Sequence, residues 1–449
     1  MQIDRHAPLR VTSTTLVGNN LTRSDTIERR LQKLYAAETV QDVAQAALEA
    51  SRKLEQLGIF SKVEMELLPG NRPGEAALKI AVEEKRVLSM KATTFVEQGE
   101  GGIELAMRAS NALGSAESLE VSALIGGSEL KGTPRRTQLR GDYVQPNVWG
   151  LPLTLLVSGD STSQRPLGES TFEDDSYGVG VKLKSEFGLD LEWSARQRDI
   201  LPNRMAESGK TLAPEGVSDV GVFTYAAPPE IIALARPSLK SAIALQFSRD
   251  RQLPNAQVPR TGTAGTVRVE YASPKTTGGD VDLFSIVGKL KRTFPITSDI
   301  SLTAAFEGGL VRPLLNDFVH VQDRLFMGGP MTLRGFQPRG VGPKSADGTA
   351  SLGGRNRWQA RVGLEGPPPN WSILPSTTRA HMFVVAGGLS DELSIRSLVK
   401  TDSRVAVGCG LAIGIALGRL EANLVYSLKA DAKDALSGRL QFGIGAEFL

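Results

Sequence analysis

From about residue 100 to the end of the chain, large apolar residues alternate with polar or small ones. GGIELAMRAS sets Ile103, Leu105 and Met107 against Glu104 and Arg108, and LDLEWSAR sets Leu189, Leu191 and Trp193 against Asp190, Glu192 and Arg196. RWQARVGLEG sets Trp358, Ala360, Val362 and Leu364 against Arg357, Gln359, Arg361 and Glu365. Side chains that alternate with period two belong to strands with two different faces. The most apolar stretch, VAVGCGLAIGIALG at 405–418, obeys the same rule. Its large residues, from Val405 to Leu417, fall two apart, and Ala or Gly fills each gap. As a helix it would rise only about 21 Å, short of a hydrocarbon core of ~30 Å, and its interior glycines oppose a helix. It is predicted as a strand whose small face leaves room for something to pack close by.

Residues 1–97 follow a different grammar and predict a small α+β domain. A strand is expected at 9–20. A helix over 22–38 carries Ile27, Leu31 and Leu34 on one face, with Ser24 as N-cap. A second helix over 40–57 places Val43, Ala47, Leu54 and Leu57 on one stripe and ends at Gly58. Strands at 60–68 and 76–85 complete the order strand, helix, helix, strand, strand.

Two architectures produce 350 residues of alternation: a soluble sandwich and a transmembrane barrel. The length without helices, the bulky opposite charges on polar faces, and tight turns alternating with long Gly/Pro/Ser loops favour the barrel. At about 22 residues per strand and connection, residues 98–449 hold roughly 16 antiparallel strands.

Composition narrows the function. A net charge of +3 argues against a nucleic-acid partner bound through bulk positive charge. One cysteine excludes an internal disulfide, and Cys409 reads as a small apolar group on an outward face. His6, His320 and His381 have no metal-ligand spacing, and the chain carries no GxxxxGK[ST], GxSxG or HExxH. No metal, cofactor or enzymatic activity is expected. MQIDRHAPLRV lacks the charged and apolar regions of a secretory leader.

The segment RLFMGGPMTLRGFQPRGVGP at 324–343 is loop-like in its glycines and prolines, yet it carries Phe326, Met327, Leu333 and Phe336. A loop folded into a cavity would use such residues. Arg334, held among them, needs a carboxylate, because a lone buried cation is costly. Leu333-Arg334-Gly335-Phe336 resembles the motif of the BamA-like superfamily of outer-membrane β-barrel insertases, in the loop before the fifth strand from the end. The resemblance implies that this sixth loop, around 312–350, folds into the lumen and that its Arg meets an acid on the inner wall. Glu365, in Leu364-Glu365-Gly366-Pro367, is the expected mate. The next strand's family pattern F-x-[D/N]-x-G is kept only in part, with Val385 at the polar position of Phe383–Gly387.

The N-terminal domain resembles a polypeptide-transport-associated (POTRA) domain, with GNNLT at 18–22 as its strand-to-helix junction. One such domain, no leader and few aromatics make the chain most similar to the central barrel subunit of the mitochondrial sorting and assembly machinery. That resemblance implies an insertase of the mitochondrial outer membrane, with the POTRA domain in the intermembrane space. Its partners would be β-barrel precursor proteins, the lipid bilayer and peripheral cytosol-side subunits, with room for a second barrel subunit or a homodimer. It further implies a lateral gate between a first strand containing Gly102, Ile103, Glu104, Leu105, Ala106, Met107 and Arg108 and the last strand, 440–448. Precursors in this family carry a C-terminal β-signal, which the last strand here imitates with Gln441, Gly443, Ala446 and Phe448. The alternatives are a polypeptide-translocating barrel of the two-partner-secretion type and a bacterial outer-membrane assembly factor.

Overall fold

A computed structural model describes residues 6–70, 72–97, 100–126, 136–164, 172–202, 227–251, 261–330, 332–348, 350–368, 375, 377–392, 403–415 and 418–445. In the N-terminal domain, strands β1 (Arg10–Val17), β2 (Phe60–Pro69) and β3 (Glu75–Glu84) form a sheet in the order β1-β3-β2. Strand β1 is parallel to β3, and β2 is antiparallel to it. Helices α1 (Ser24–Glu28), α2 (Gln32–Tyr35) and α3 (Val40–Glu55) cover the sheet, and Ile27, Leu31, Leu34, Val43, Leu54 and Ile80 are fully buried in its core. Each such side chain contributes about 1.5–3 kcal/mol on leaving water. The single helix expected over 22–38 is split into α1 and α2, because the Arg30 and Leu31 amides bond three residues back, to Ile27 O and Glu28 O, and the helical pattern is interrupted there. Arg23 stands at the N-cap position of α1, with Ser24 its first residue. Thr39 accepts the Asp42 N–H at the start of α3.

The junction into the second domain is built from polar groups. Gly18 (φ +88°) must be glycine, since a Cβ would lie 2.0 Å from Val82 O. Glu84 accepts hydrogen bonds from the Leu21 and Thr22 amides and from Thr22 Oγ1, at 2.5–3.2 Å. Thr22 Oγ1 in turn accepts from Asn111 Nδ2 at 2.8 Å, and the Arg23 amide and Thr26 hydroxyl donate to Gly114 O. The turn at 111–117 is thereby fixed to the start of α1. The POTRA-like domain therefore lies at this end of the barrel.

The remaining strands are β4 (Leu88–Glu97), β5 (Glu100–Ser110), β6 (Ser118–Gly126), β7 (Arg136–Gln145), β8 (Leu153–Gln164), β9 (Phe172–Ser185), β10 (Leu189–Pro202) and β11 (Ser238–Asp250). They continue with β12 (Gly262–Ala272), β13 (Leu283–Pro295), β14 (Ser301–Pro313), β15 (Asn356–Gly366), β16 (Thr378–Ser390), β17 (Ser403–Ile415), β18 (Gly418–Lys429) and β19 (Leu440–Gly445). Sequential antiparallel pairing links β4 through β19 into one sheet of 16 strands, the number expected. Large apolar residues such as Leu191, Phe306, Val362 and Phe442 are exposed on its outer face, while Glu307 and Gln359 are buried on its inner face. A short helix, α4 (Pro229–Leu234), precedes β11. No helix among the described residues is long and apolar enough to cross a membrane.

Two sequence boundaries need correction. The α+β domain expected over residues 1–97 ends sooner: the ladder of β4 is with β5, so the barrel begins at Leu88. The strand over 405–418 ends at Ile415, and Gly418 already starts β18.

One prediction concerns the junction. Burial alone would raise the Glu84 carboxyl, but the Thr22 and Leu21 donors outweigh it and hold the group below the ordinary carboxylate value. A lowered folded-state pKa contributes stability at higher pH, which is lost as pH falls through that value. The protection factors of the Leu21 and Thr22 amides, relative to the intrinsic rate at each pH, are therefore expected to fall on acidification below about pH 4, the ordinary carboxylate range. In Glu84→Gln these protection factors should be low and should not change with pH in this range.

Candidate functional site

The connection between β14 and β15, residues 314–355, lies on the side away from the POTRA-like domain and turns back into the barrel. It is fixed to both walls of the lumen. On one wall, Asp323 in a 3-10 turn (Val321–Asp323) accepts from Arg198 on β10 at 2.8 Å and from Lys240 on β11 at 2.6 Å. His320 Nδ1 accepts the Gln322 amide, so its Nε2 donates, to Arg236 O at 2.8 Å. On the other wall, Met327, Leu333, Phe336 and Val341 form a core with Phe383, Val385 and Leu389 of β16, Ala406 of β17 and Val425 of β18.

Arg334 sits in this core with 1% of its surface exposed. Its guanidinium meets Glu421 of β18 at 2.7 Å, and Glu421 is fully buried. It also lies 4.7 Å from the centre of the Phe383 ring, on which Arg361 stacks at 5.2 Å. Asn423 Nδ2 donates to the same Glu421 oxygen at 3.0 Å. The Asn423 amide oxygen must then accept, and His381 Nε2 donates to it at 2.5 Å. Glu421 Oε2 thus receives two donors, Arg334 and Asn423, charge-assisted hydrogen bonds of the kind that offset part of the desolvation cost of a buried pair.

Gly335 makes the approach possible. Its φ is +91°, and a Cβ would lie 2.8 Å from Ser427 Oγ and 3.3 Å from Ala406 Cβ. Its amide donates to Gln441 Oε1 of β19 at 3.0 Å, and its carbonyl accepts from the Ser437 amide and the Ser427 hydroxyl. Gln337 and Gly340 exchange backbone hydrogen bonds with Ala435 in the β18–β19 connection, which Asp434 ties to Arg404 of β17 at 2.8 Å. The loop motif therefore reaches the last strand directly.

The small face of β17 works one layer removed from what its sequence suggests. Ala406 touches the loop. Gly408 instead makes room for the Phe383 ring, and Gly410 for Asn423, whose atoms would lie 2.6 Å and 2.5 Å from an added Cβ. Those two side chains carry Arg334 and its carboxylate. Likewise, the β16 position where the family pattern has a polar residue holds Val385, buried against the loop core.

The structure places Leu333, Arg334, Gly335 and Phe336 in the infolded loop, and the acid it sets against Arg334 is Glu421 on β18, not the expected Glu365. Glu365 lies on β15, three strands from β18, roughly 14 Å along the wall at the usual strand spacing. Because Gly335 packs over β17 and β18, the acid within reach is Glu421. The signal was present in LEANLVY, where Glu421 and Asn423 alternate with outward Leu420, Ala422 and Leu424. Gly102, Ile103, Glu104, Leu105, Ala106, Met107 and Arg108 also need correction: they lie on β5, the second barrel strand, where β4 covers them. The first strand is β4. It and β19 are the end strands, and their Cα atoms approach within 8 Å, yet no backbone ladder joins them among the described residues. Gln441 and Gly443 are buried on the inner face of β19, opposite Asn423 and Glu421, while Ala446 and Phe448 lie outside the described residues.

Arg334→Ala leaves Glu421 without its cation, and the barrel is expected to lose about 3 kcal/mol or more, read as a lower midpoint of heat-induced gel-mobility shift. Arg334→Ala combined with Glu421→Ala should recover part of that loss. An additive double variant would show that the pair does not anchor the loop.

The Omp85 superfamily domain matches residues 111–448. Among curated relatives, the sorting and assembly machinery component 50 homologs of Mus musculus and Homo sapiens are each 26% identical, over 96% of this chain and 89% of their own. A SAM50-like protein of Schizosaccharomyces pombe is 24% identical over 98% of this chain and 91% of its own. Among solved structures, BamA from Haemophilus ducreyi lacking POTRA domains 1–3 superposes with a TM-score of 0.74 at 16% identity, covering 97% of this chain and 84% of that one. CdiB from Acinetobacter baumannii gives a TM-score of 0.56 at 12% identity, covering 97% and 73%. Strand number, infolded loop and matched domain agree, and the chain belongs to the Omp85 superfamily.

Proposed function

We propose that this protein is a β-barrel insertase of the mitochondrial outer membrane. It captures the C-terminal β-signal of a precursor barrel between its first and last strands and releases the folded precursor sideways into lipid. The observation that carries the reading is the seam. Strand β4 offers an edge to β19 with no ladder between them among the described residues. An unsatisfied backbone group facing hydrocarbon costs several kcal/mol, so an edge in the membrane is an acceptor for any strand that completes it. A precursor strand pairing with β4 is β-augmentation in a membrane setting.

The likeness to sorting and assembly machinery component 50 homologs over nearly the whole chain supports this reading, in which the protein works within such a machinery. The POTRA-like domain then lies in the intermembrane space, and the far-side loops meet peripheral cytosol-side subunits. The work is strand exchange, without covalent chemistry, nucleotide or metal. Gln441 takes a second role: a precursor that displaces β19 would bring its own polar β-signal residue to the Gly335 amide. Passage of a polypeptide through the lumen, as in two-partner secretion, is disfavoured because the loop spans from Asp323 on one wall to Arg334 on the other.

The test is site-specific disulfide crosslinking in a Cys409→Ser background, with single cysteines along 88–93 and one cysteine in the β-signal of a precursor. Crosslinks in a single antiparallel register to β4 are expected. Crosslinks confined to lumen positions such as Arg196 and Glu270 would replace this reading with translocation.

A further inference from the structure

The outer wall carries a groove that the insertase reading does not use. It measures about 570 Å³ and runs over β12–β15 in the half of the barrel away from the POTRA-like domain. Gly288 and Gly308 face one another across β13 and β14 and form its floor. Ile286, Leu290, Phe306, Leu310 and Trp358 form its sides. These positions share the outward face, as the register pairs Leu290 with Phe306, Ile286 with Leu310, and Gly308 with Trp358.

The end of the groove farther from the POTRA-like domain is charged in two signs. Arg312, two residues beyond Leu310 on the same face, donates to Asn356 Oδ1 at 2.7 Å and to Val311 O at 3.0 Å, both neutral acceptors. Its Nε is buried without a hydrogen-bond partner, and no ion pair is formed by Arg312 among the described residues. Glu392 lines the same end, with its backbone carbonyl accepting from Asn356 Nδ2 at 2.8 Å. Its carboxylate is exposed and forms no ion pair among the described residues. The neighbouring charges are spent elsewhere: Asp391 on Arg324 and Arg355, and Arg355 also on Asp317.

We infer that this groove is a binding site for an amine-bearing zwitterionic phospholipid. Its phosphate would meet Arg312, its ammonium Glu392, and one acyl chain would lie over Gly288 and Gly308 against Trp358. An apolar trough in a lipid-facing wall takes hydrocarbon from any lipid. A cation and an anion at its head, one Asn apart and unpaired with each other, match a headgroup that carries both charges. The inference depends on the barrel's outer face and not on the insertase activity.

The experiment uses the full chain in phosphatidylcholine nanodiscs, with Trp149, Trp193 and Trp371 replaced by Phe so that Trp358 alone fluoresces. Small amounts of chain-brominated phosphatidylethanolamine, phosphatidylcholine or phosphatidylglycerol are added, and quenching is recorded. A companion variant keeping only Trp193, outward on β10, reports ordinary annular lipid. Phosphatidylethanolamine is expected to quench Trp358 at about fivefold lower mole fraction than phosphatidylcholine, the gain of one charge contact at a membrane surface. Glu392→Gln should erase that preference, Arg312→Gln should weaken quenching by every headgroup, and Gly308→Leu should fill the groove and bring Trp358 to the Trp193 level. Unaltered gel mobility confirms that each variant is folded. Equal quenching by all three headgroups, a preference for phosphatidylglycerol, or a phosphatidylethanolamine preference that survives Glu392→Gln would overturn the assignment.

Discussion

A guanidinium and a carboxylate, both almost entirely out of water, join the sixth loop to the barrel wall. Arg334 and Glu421 lie 87 residues apart in sequence and 2.7 Å apart in space. Neither charge is tolerable there without the other. Much of the surrounding sequence follows from that constraint. Gly335 has no side chain because the loop must come down onto β17 and β18. Gly408 and Gly410 have none because Phe383 and Asn423 need their space. The alternation of Ala and Gly along β17 is therefore the imprint of a second layer packed inside the barrel.

The loop's hold is uneven around the barrel, and this gives the seam its character. The last four strands are drawn together from inside: β16 by its apolar contacts, β17 through Arg404 and Asp434, β18 through Glu421, and β19 through Gln441. Strand β4 has no such tie among the described residues and is held by β5 and by the short link to the POTRA-like domain. One side of the seam is thus braced by the lumen contents and the other by its neighbour alone. The junction of Glu84, Thr22 and Asn111 sits at the base of this free side, so a movement of the N-terminal domain would be transmitted first to the β4–β6 corner.

Barrel class, strand number and the infolded loop were legible because they rest on period-two patterning and on one local motif. Residues such as Leu191 and Trp193 mark an outer face whatever their tertiary partners. Strand β4 was not legible: Leu88, Met90 and Ala92 point outward and Ser89, Lys91 and Thr93 inward, but this short run begins only three residues after β3 and so reads as the N-terminal domain's tail. The mate of Arg334 was missed for a different reason. The family's Leu-Glu-x-Pro pattern and a lumen-side position favoured Glu365, but the choice of acid depends on where the loop lands on a curved wall, and that is set by Gly335 and the small residues of β17. Glu421 and Asn423 were visible as inward polar positions on an apolar strand, though no local rule ties them to a motif so far upstream.

The account's central claim is that the seam is asymmetric, with β19 braced by the loop and β4 presenting an open edge. Residue-resolved amide hydrogen exchange on the whole barrel in a bilayer mimic, with and without a β-signal peptide, tests it most directly. The account predicts that β4 amides directed away from β5 exchange rapidly alone and slow on adding peptide, while the Gly335 amide, bonded to Gln441, is protected in the free barrel. Protection of β4 equal to that of the interior strands, unchanged by peptide, would contradict it.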